Sequence, residues 1–228
     1  MNEYLSLDVV LSFLPKIVVQ LPVSLLIVGF SLFIGVVLGV ALALARIAKV
    51  PVLSQIAVVF VSFIRGTPEI VQVFIVYYGV PLLVEGLTGV NIDGLPALYF
   101  VILAFGLNQS AYASELFRGA LLAVPAGQYE AGAASGLTRW QTYWRIAIPQ
   151  AAVFAMPGFG NQVVYMFQDT ALAASLGVLD MMGKAMTLGS ASGQQLNAYA
   201  AAAIPFVIIS LVLALVFRFM SDRISNRR

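Results

Sequence analysis

Cysteine and histidine are both absent from this 228-residue chain, and only 10% of its residues are charged. A chain without cysteine forms no disulfide bond, and a chain without either residue has no Cys or His metal site. The absence of histidine also removes the side chain that most often acts as a general acid or base near neutral pH. We therefore expect no metal site, no bound cofactor and no catalytic residue in this chain.

The scarcity of charge indicates a membrane protein. Soluble domains carry about 25% charged residues, whereas this chain is 61% hydrophobic and has a mean hydropathy of +0.97. Its length accommodates about five helical spans of roughly 20 residues each. The predicted fold is all-α, a polytopic membrane protein of about five transmembrane helices in a single domain over residues 1–228. The net charge of only +2 gives no reason to expect a nucleic-acid partner.

Five long apolar stretches are separated by polar or helix-breaking residues. The predicted spans cover residues 17–45, 69–84, 96–117, 150–167 and 199–217, with a short interfacial helix over 53–64 and an amphipathic lead-in over 1–14. Gly35 and Gly39 form a small-x-x-x-small face in the first span. Such a face lets another helix approach closely, either inside one subunit or between two subunits.

The second apolar region is interrupted by a charged segment, Arg65-Gly66-Thr67-Pro68-Glu69. Glycine followed by proline predicts a kink or a break between two helical pieces. The charges of Arg65 and Glu69 are costly in hydrocarbon, so these side chains should lie near the interface or face protein. Two interpretations stay open: a structural kink held by local pairing, or a direct role in binding a substrate.

Polar side chains also occur inside the later spans, where they generally face the bundle interior or a water-filled path. Asn108, Tyr112 and Glu115 fall on one helical face at intervals of four and three, and Arg118 can pair with Glu115. These residues either bind between helices or line a path. The candidate substrate path consists of Asn108, Tyr112, Asn161, Gln162, Asp169 and Thr170.

The fourth span contains Pro157, Gly158 and Gly160 next to its polar residues. This composition predicts a discontinuous helix, because irregular backbone in transporters tends to line a cavity. Asp169, at its end, has two interpretations. Its carboxylate either holds the amino group of a substrate or caps the next helix as an N-cap residue.

A polar, helix-compatible island, residues 128–149, lies between the third and fourth spans; we call it the hairpin. The first of its two helices carries Glu130-Ala131-Gly132, whose small residues permit close approach by another protein. Gly136 can end that helix in a left-handed conformation. Trp140, Tyr143 and Trp144 then form an aromatic stripe that would support the first helix. Pro149 starts the next element, where a missing amide donor is tolerated.

The spacing in the hairpin resembles the EAA loop of the membrane subunits of bacterial ABC importers. The string FIRGTPEIVQVFIVYYGVP is similar to the RGTP segment of the polar amino acid (histidine/glutamine/cystine-type) branch of these permeases. A third element, Gln168-Asp169-Thr170-Ala171-Leu172, resembles that family's Lys-Asp-Thr-Ser-Leu but replaces the Lys and the Ser. The resemblance to this family extends over about residues 17–222 and implies the type I ABC importer permease fold.

The resemblance also implies partners. They are a cytoplasmic ABC ATPase, a second permease subunit, identical or different, an extracytoplasmic amino-acid-binding protein, and membrane lipid. ATP and Mg would be bound by the ATPase and not by this chain. Contacts with the ATPase are expected from Glu130, Ala131, Gly132, Gly136, Ile146 and Pro149.

The chain itself offers no convincing phosphate-binding loop. Gly183-Lys184 fits poorly, because the preceding Gly177 is one residue too far away and Ala185 replaces the Ser or Thr that would ligate magnesium. ATP hydrolysis is therefore expected from a separate subunit, and this chain is predicted to be a non-catalytic transport subunit. There are two alternatives: an ion-gradient-driven transporter, and a non-transporting scaffold that recruits a cytoplasmic partner.

The basic residues predict the orientation in a bacterial inner membrane. Nine fall on one side and two, Lys16 and Lys184, on the other, with Arg65 unassigned. The nine are Arg46, Lys49, Arg118, Arg139, Arg145, Arg218, Arg223, Arg227 and Arg228. Because basic residues are enriched in cytoplasmic segments, we predict a cytoplasmic C-terminus and hairpin, and an external N-terminus.

Overall fold

The computed structural model describes residues 5–225, and every regular element within them is helical. The helices are α1 (Leu7–Val18), α2 (Leu21–Ile47), α3 (Leu53–Gly66), α4 (Glu69–Thr88), α5 (Ala97–Leu122), α6 (Ala126–Ala134), α7 (Arg139–Thr142), α8 (Ile148–Asp169), α9 (Met181–Ser192) and α10 (Gln195–Ser225). A π-helical turn, Tyr143–Ala147, joins α7 to α8, and a 3₁₀ helix, Thr170–Leu176, follows α8. Residues 1–4 of the predicted lead-in, together with Arg227 and Arg228, lie outside the described residues.

Three helices, α2, α4 and α10, are long and apolar enough to cross a membrane. The run from Arg139 to Leu176 adds a fourth candidate when it is taken with α9, which bends away from it by 46°. Helix α5 has 26 residues, or about 39 Å at 1.5 Å per residue. The second half of α5 is polar. Its residues Asn108, Gln109 and Ser110 are buried against the other helices and do not face lipid. The five predicted spans fall on α2, α4, α5, α8 and α10, but in the described residues only three of these helices, or four with the bent pair, are apolar enough to cross a membrane, and α5 is not one of them.

The first predicted span starts too early. Ile17 belongs to α1, which ends at Val18, and α2 begins at Leu21. Pro22 lies in the first turn of α2, where its missing amide costs nothing. The other four helices begin within four residues of their predicted starts and run two to eight residues beyond their predicted ends. The helices continue beyond the apolar stretch into polar residues, so the end of an apolar stretch does not mark the end of a helix.

Helix α5 packs along α2 at the centre of the bundle. A side chain at Gly35 would place its Cβ 2.6 Å from Gln109 Cβ, and one at Gly39 would lie 2.6 Å from Ala113 Cβ. The Ser31 hydroxyl also donates to the Ile102 carbonyl of α5 at 3.2 Å. The glycine face of the first span therefore serves packing inside this subunit.

Helix α8 is continuous through Pro157, so the predicted discontinuity in the fourth span is wrong. A proline inside a membrane helix removes one backbone hydrogen bond, a loss that neighbouring groups can compensate. The nearby glycines serve helix packing instead. A Cβ at Gly158 would lie 2.5 Å from Leu116 Cδ1, and one at Gly160 would lie 2.6 Å from Phe217 Cβ.

Candidate functional site

The hairpin forms two helical pieces joined by a tight turn. Gly136 has φ +77°, the left-handed conformation that ends α6. The Leu137 amide donates to the Gly132 carbonyl at 3.0 Å and the Gly136 amide to the Ala133 carbonyl at 3.0 Å. Thr138 and Gln141 then begin α7 with a capping box, in which each side chain bonds the backbone amide of the other. Local sequence signals thus specify both sides of the turn.

Helix α6 is held against α7 by small and aromatic contacts. A Cβ at Gly132 would approach Thr142 Oγ1 to 2.7 Å and Thr142 Cγ2 to 2.8 Å, so this position accommodates only glycine. The Tyr129 and Tyr143 rings lie 5.5 Å apart. Burial, and secondarily Tyr143, raises the pKa of the Tyr129 hydroxyl above its ordinary value of 10.0.

The tryptophans do not support α6 as the aromatic stripe predicted. Trp140 and Trp144 stack edge to face on each other with centroids 5.4 Å apart. They remain 70% and 53% exposed, whereas Thr142 and Tyr143, on another side of the same segment, make the contacts with α6. The sequence spacing identified the stripe but not the side of the helix that faces α6.

The residues predicted to contact an ATPase differ in their accessibility. Glu130, Ala131, Gly136 and Pro149 are exposed, Ile146 is half-buried, and Gly132 is buried. Glu130 and Ala131 therefore offer a free surface on α6. Gly132 lies on the opposite, buried side of α6, where it packs against Thr142.

An ion cluster joins α2 to α5 just before the hairpin. The Arg118 guanidinium donates to Glu115 Oε2 through Nε at 3.2 Å and Nη2 at 2.7 Å. Arg46, in the last turn of α2, contacts Glu115 Oε1. The Glu115–Arg118 pair was predicted from its spacing, but Arg46 was not, because it lies far away in the sequence.

The predicted break in the second apolar region lies at Thr67 and Pro68, between α3 and α4. The pairing of Arg65 with Glu69 is not observed. The Arg65 guanidinium lies over the Tyr112 ring of α5, 5.6 Å from its centroid. The Glu69 side chain is half-buried, its Oε1 is a buried oxygen that accepts no hydrogen bond from the described residues, and its carboxyl lies within electrostatic range of the Asp169 carboxyl at the end of α8.

Gln72, which the sequence did not single out, closes the break. Its Nε2 donates to the Ile64 carbonyl at 2.7 Å, to Thr67 Oγ1 at 2.8 Å and to the Thr67 carbonyl at 3.1 Å. Its Oε1 accepts from Asn108 Nδ2 of α5 at 2.9 Å. A buried, bonded Asn108 serves contact between helices and does not line an open path.

The remaining candidates for the substrate path are not gathered into one site. Asp169 ends α8 in helical conformation with no side-chain cap bond to the next element, so the N-cap interpretation is not observed. Thr170 is fully buried and donates to the Phe167 carbonyl at 2.8 Å. Asn161 and Tyr112 are exposed, and Gln162 is half-buried. Glu69, at the start of α4, and Asp169, at the end of α8, are the two acidic groups that lie near each other here among the described residues.

A cavity of about 350 Å³ lies between the end of α8, α9 and α10, and Asp169 is not among the residues that line it. Its lining is mostly apolar and includes Gln168, Ala171, Met182, Tyr199 and Phe206. Gln168 and Ala171 are the two positions at which the chain departs from the resembled element, and Gln168 Nε2 donates to Ser210 Oγ at 3.3 Å. The wall supplied by α10 was not predicted, because the last span shows no polar signal there.

Comparisons with known proteins agree on one group. Residues 35–228 match the family described as binding-protein-dependent transport system inner membrane component. The chain is 38% identical over 228 residues to the L-cystine transport system permease protein TcyL of Bacillus subtilis, covering 100% of this chain and 95% of that protein. It is 37% identical over 182 residues to the arginine ABC transporter permease protein ArtQ of Haemophilus influenzae, covering 80% and 81%.

Solved structures resemble the chain over nearly its whole length. A crystal structure of an amino acid ABC transporter with histidines matches with a TM-score of 0.82 and 26% identity, covering 93% of this chain and 96% of that chain. The inward-facing MetNI methionine ABC transporter matches with a TM-score of 0.67 at 16% identity, covering 89% and 91%. The second likeness shows the fold alone.

Proposed function

Because this chain belongs to the family of binding-protein-dependent transport system inner membrane components, we propose that it forms the translocation path of an ATP-driven importer for a polar amino acid. The family makes it a multi-pass inner membrane protein with a transport role. The same membership favours the importer over an ion-gradient transporter or a scaffold. The observation that carries the proposal is the hairpin, a small element between α5 and α8 whose two helical pieces pack closely on each other.

The hairpin is suited to transmit force from a cytoplasmic ATPase. Its turn is closed by Gly136, its second helix is capped by Thr138, and Gly132 packs directly on Thr142. Glu130 and Ala131 face outward and would enter a groove on the ATPase. ATP and Mg would be bound by that subunit. Closure of two ATPases would draw two such hairpins together and switch the spans from inward-open to outward-open.

The orientation follows from this coupling. A cytoplasmic ATPase reaches the hairpin only if the hairpin is cytoplasmic, which also places the C-terminus inside and the N-terminus outside. The positive-inside distribution supports the same arrangement independently. A binding protein would then dock on the outer face, and a second permease, identical or different, would complete the path.

The acid pair Glu69–Asp169 supports a substrate that carries an amino group. Glu69 Oε1 is buried without a hydrogen-bond partner among the described residues and the Asp169 carboxyl lies near it, so the ammonium group of a substrate would find acceptors on both side chains. Exposed Asn161 and half-buried Gln162, earlier on α8, could add hydrogen bonds. Two relatives are named as L-cystine permeases, so we propose L-cystine as the first amino acid to test.

Amino-acid-stimulated ATP hydrolysis tests the proposed function. The chain would be reconstituted in liposomes with its ATPase and binding protein, and screened with L-cystine, L-arginine, L-glutamine and L-histidine. Stimulation by one of them that is lost in Glu130→Lys would support an importer coupled through the hairpin. An intact complex that responds to none would remove the amino acid substrate but keep the architecture. Stimulation that survives Glu130→Lys would remove the hairpin as the coupling element.

Replacement of Asp169 by asparagine should impair uptake without disturbing assembly. The change keeps the size of the side chain but removes its charge, and a hydrogen bond to a charged group is worth enough to raise the half-saturating amino acid concentration about tenfold or more. Co-purification with the ATPase should be unchanged, since Asp169 lies far along α8 from the hairpin. Tyr165→Phe is the control, because Tyr165 lies on the same helix, is exposed and has no place in the proposed path. Unchanged uptake in Asp169→Asn would remove Asp169 from the substrate path.

A further inference from the structure

The break between α3 and α4 is held by a buried chain of hydrogen bonds from a neighbouring helix. The end of α3 leaves carbonyl groups without helical partners. Gln72 Nε2 satisfies the Ile64 carbonyl at 2.7 Å and reaches the Thr67 carbonyl at 3.1 Å. Asn108 Nδ2 then holds Gln72 Oε1 at 2.9 Å. Gln72 and Asn108 are 4% and 3% exposed, so both are shielded from competing water.

This chain of bonds also determines where Glu69 points. Glu69 and Gln72 are three residues apart in the first turn of α4 and therefore share a helical face. Rotation of α4 that moved Glu69 would pull Gln72 away from both α3 and Asn108. Arg65 gives the end of α3 a second attachment to α5, since it lies over the Tyr112 ring. The first turn of α4 is thus fixed relative to α5.

We propose that Gln72 and Asn108 are positioning residues that hold Glu69 against Asp169, and so set the affinity of the path for the amino group of the transported amino acid. They act through Glu69 and do not touch the substrate. This inference rests on the proposed function, because it gives the acid pair a substrate to bind. It predicts that the clasp, meaning Gln72 and Asn108 together, controls affinity more than the maximal rate.

Two variants break the clasp from opposite sides. Gln72→Met keeps the length of the side chain but removes the bonds to both α3 and Asn108. Asn108→Ala leaves Gln72 bound to α3 but frees it from α5. Each should raise the half-saturating concentration of L-cystine, or of whichever screened amino acid stimulates the wild-type complex, about tenfold, the worth of one buried hydrogen bond. The maximal stimulated rate should change less than twofold.

Ser31→Ala is the matched control, because it removes another hydrogen bond between helices of this bundle, from Ser31 to the Ile102 carbonyl of α5. A bond that only contributes to folding should lower thermal stability in all three variants without selectively shifting amino acid affinity. We expect Ser31→Ala to keep the wild-type half-saturating concentration. Since the two clasp variants alter different helices, failure of one to assemble leaves the other to decide.

A double-mutant cycle with Asp169→Asn separates positioning from general weakening. If the clasp acts through the acid pair, Gln72→Met should raise the half-saturating concentration less than twofold further once Asp169 has lost its charge. Full additivity of the two effects would overturn the proposal. A normal wild-type response with unchanged affinity in both clasp variants would also overturn it, while leaving the proposed importer intact.

Discussion

Replacing Gly132 with leucine is expected to reduce amino-acid-stimulated ATP hydrolysis to the unstimulated rate while the membrane bundle stays folded. A Cβ added at this position would lie within 2.8 Å of two Thr142 side-chain atoms, and leucine adds three further carbons beyond its Cβ. Because α6 is short and exposed, it would move away from α7 and carry Glu130 and Ala131 with it. The measurement is ATPase activity of the reconstituted complex with and without the amino acid.

Gly127→Leu is the control for this result. Gly127 lies on the same helix, and a Cβ there meets no atom within 4 Å. Both variants replace a helical glycine with a better helix former, so propensity alone would affect them alike. We expect Gly127→Leu to retain most of the stimulation. Equal loss in both variants would mean that the α6–α7 contact is not what coupling requires.

Replacing Gly39 with leucine should destabilise the bundle itself. A Cβ there would lie 2.6 Å from Ala113 Cβ, 3.1 Å from the Ser110 carbonyl oxygen and 3.1 Å from the Ser114 amide nitrogen. The backbone of α5 cannot rotate away as a flexible side chain can, so α2 and α5 must separate. We expect a loss of about 3 kcal/mol or more, at the upper end for an overpacked core.

Thermal unfolding of the purified chain in detergent, followed by helical circular dichroism, measures this loss. Gly29→Leu on the same helix is the control, because a Cβ at Gly29 meets nothing within 4 Å. The control should unfold close to the wild-type temperature. Equal unfolding temperatures for Gly39→Leu and the wild type would show that the two helices can separate at little cost.

Features specified by neighbouring residues could be read from the sequence. The turn of the hairpin was predicted from Gly136 and the helix break from Gly66 and Pro68, whereas the capping box of Thr138 and Gln141 is equally local but was not singled out. These signals act over a few residues, so they require no knowledge of the surrounding fold. The long helices are likewise evident from their apolar length.

Features that depend on contacts between distant segments could not be predicted. Pro157 and Gly158 read as a break, but the neighbouring Leu116 shows that the glycine is there for packing. Arg46 and Glu115 meet only because α2 lies along α5. Glu69 had two interpretations, a kink or a direct role in substrate binding, and its proximity to Asp169 depends on how α4 and α8 are placed. Gln72 lacked any signal, as a single glutamine in an apolar helix has many possible partners.

The π-helical turn Tyr143–Ala147 determines the direction in which the hairpin leaves the membrane helix. A π turn contains about one residue more than an α turn, and such turns frequently occur at functional sites. If the same residues wound as α-helix, the extra residue would rotate α7, and α6 with it, by about 100° around the axis of α8. The π turn therefore absorbs one extra residue without changing the direction of the hairpin, so a single deletion within it should be tolerated better than a single deletion in α8.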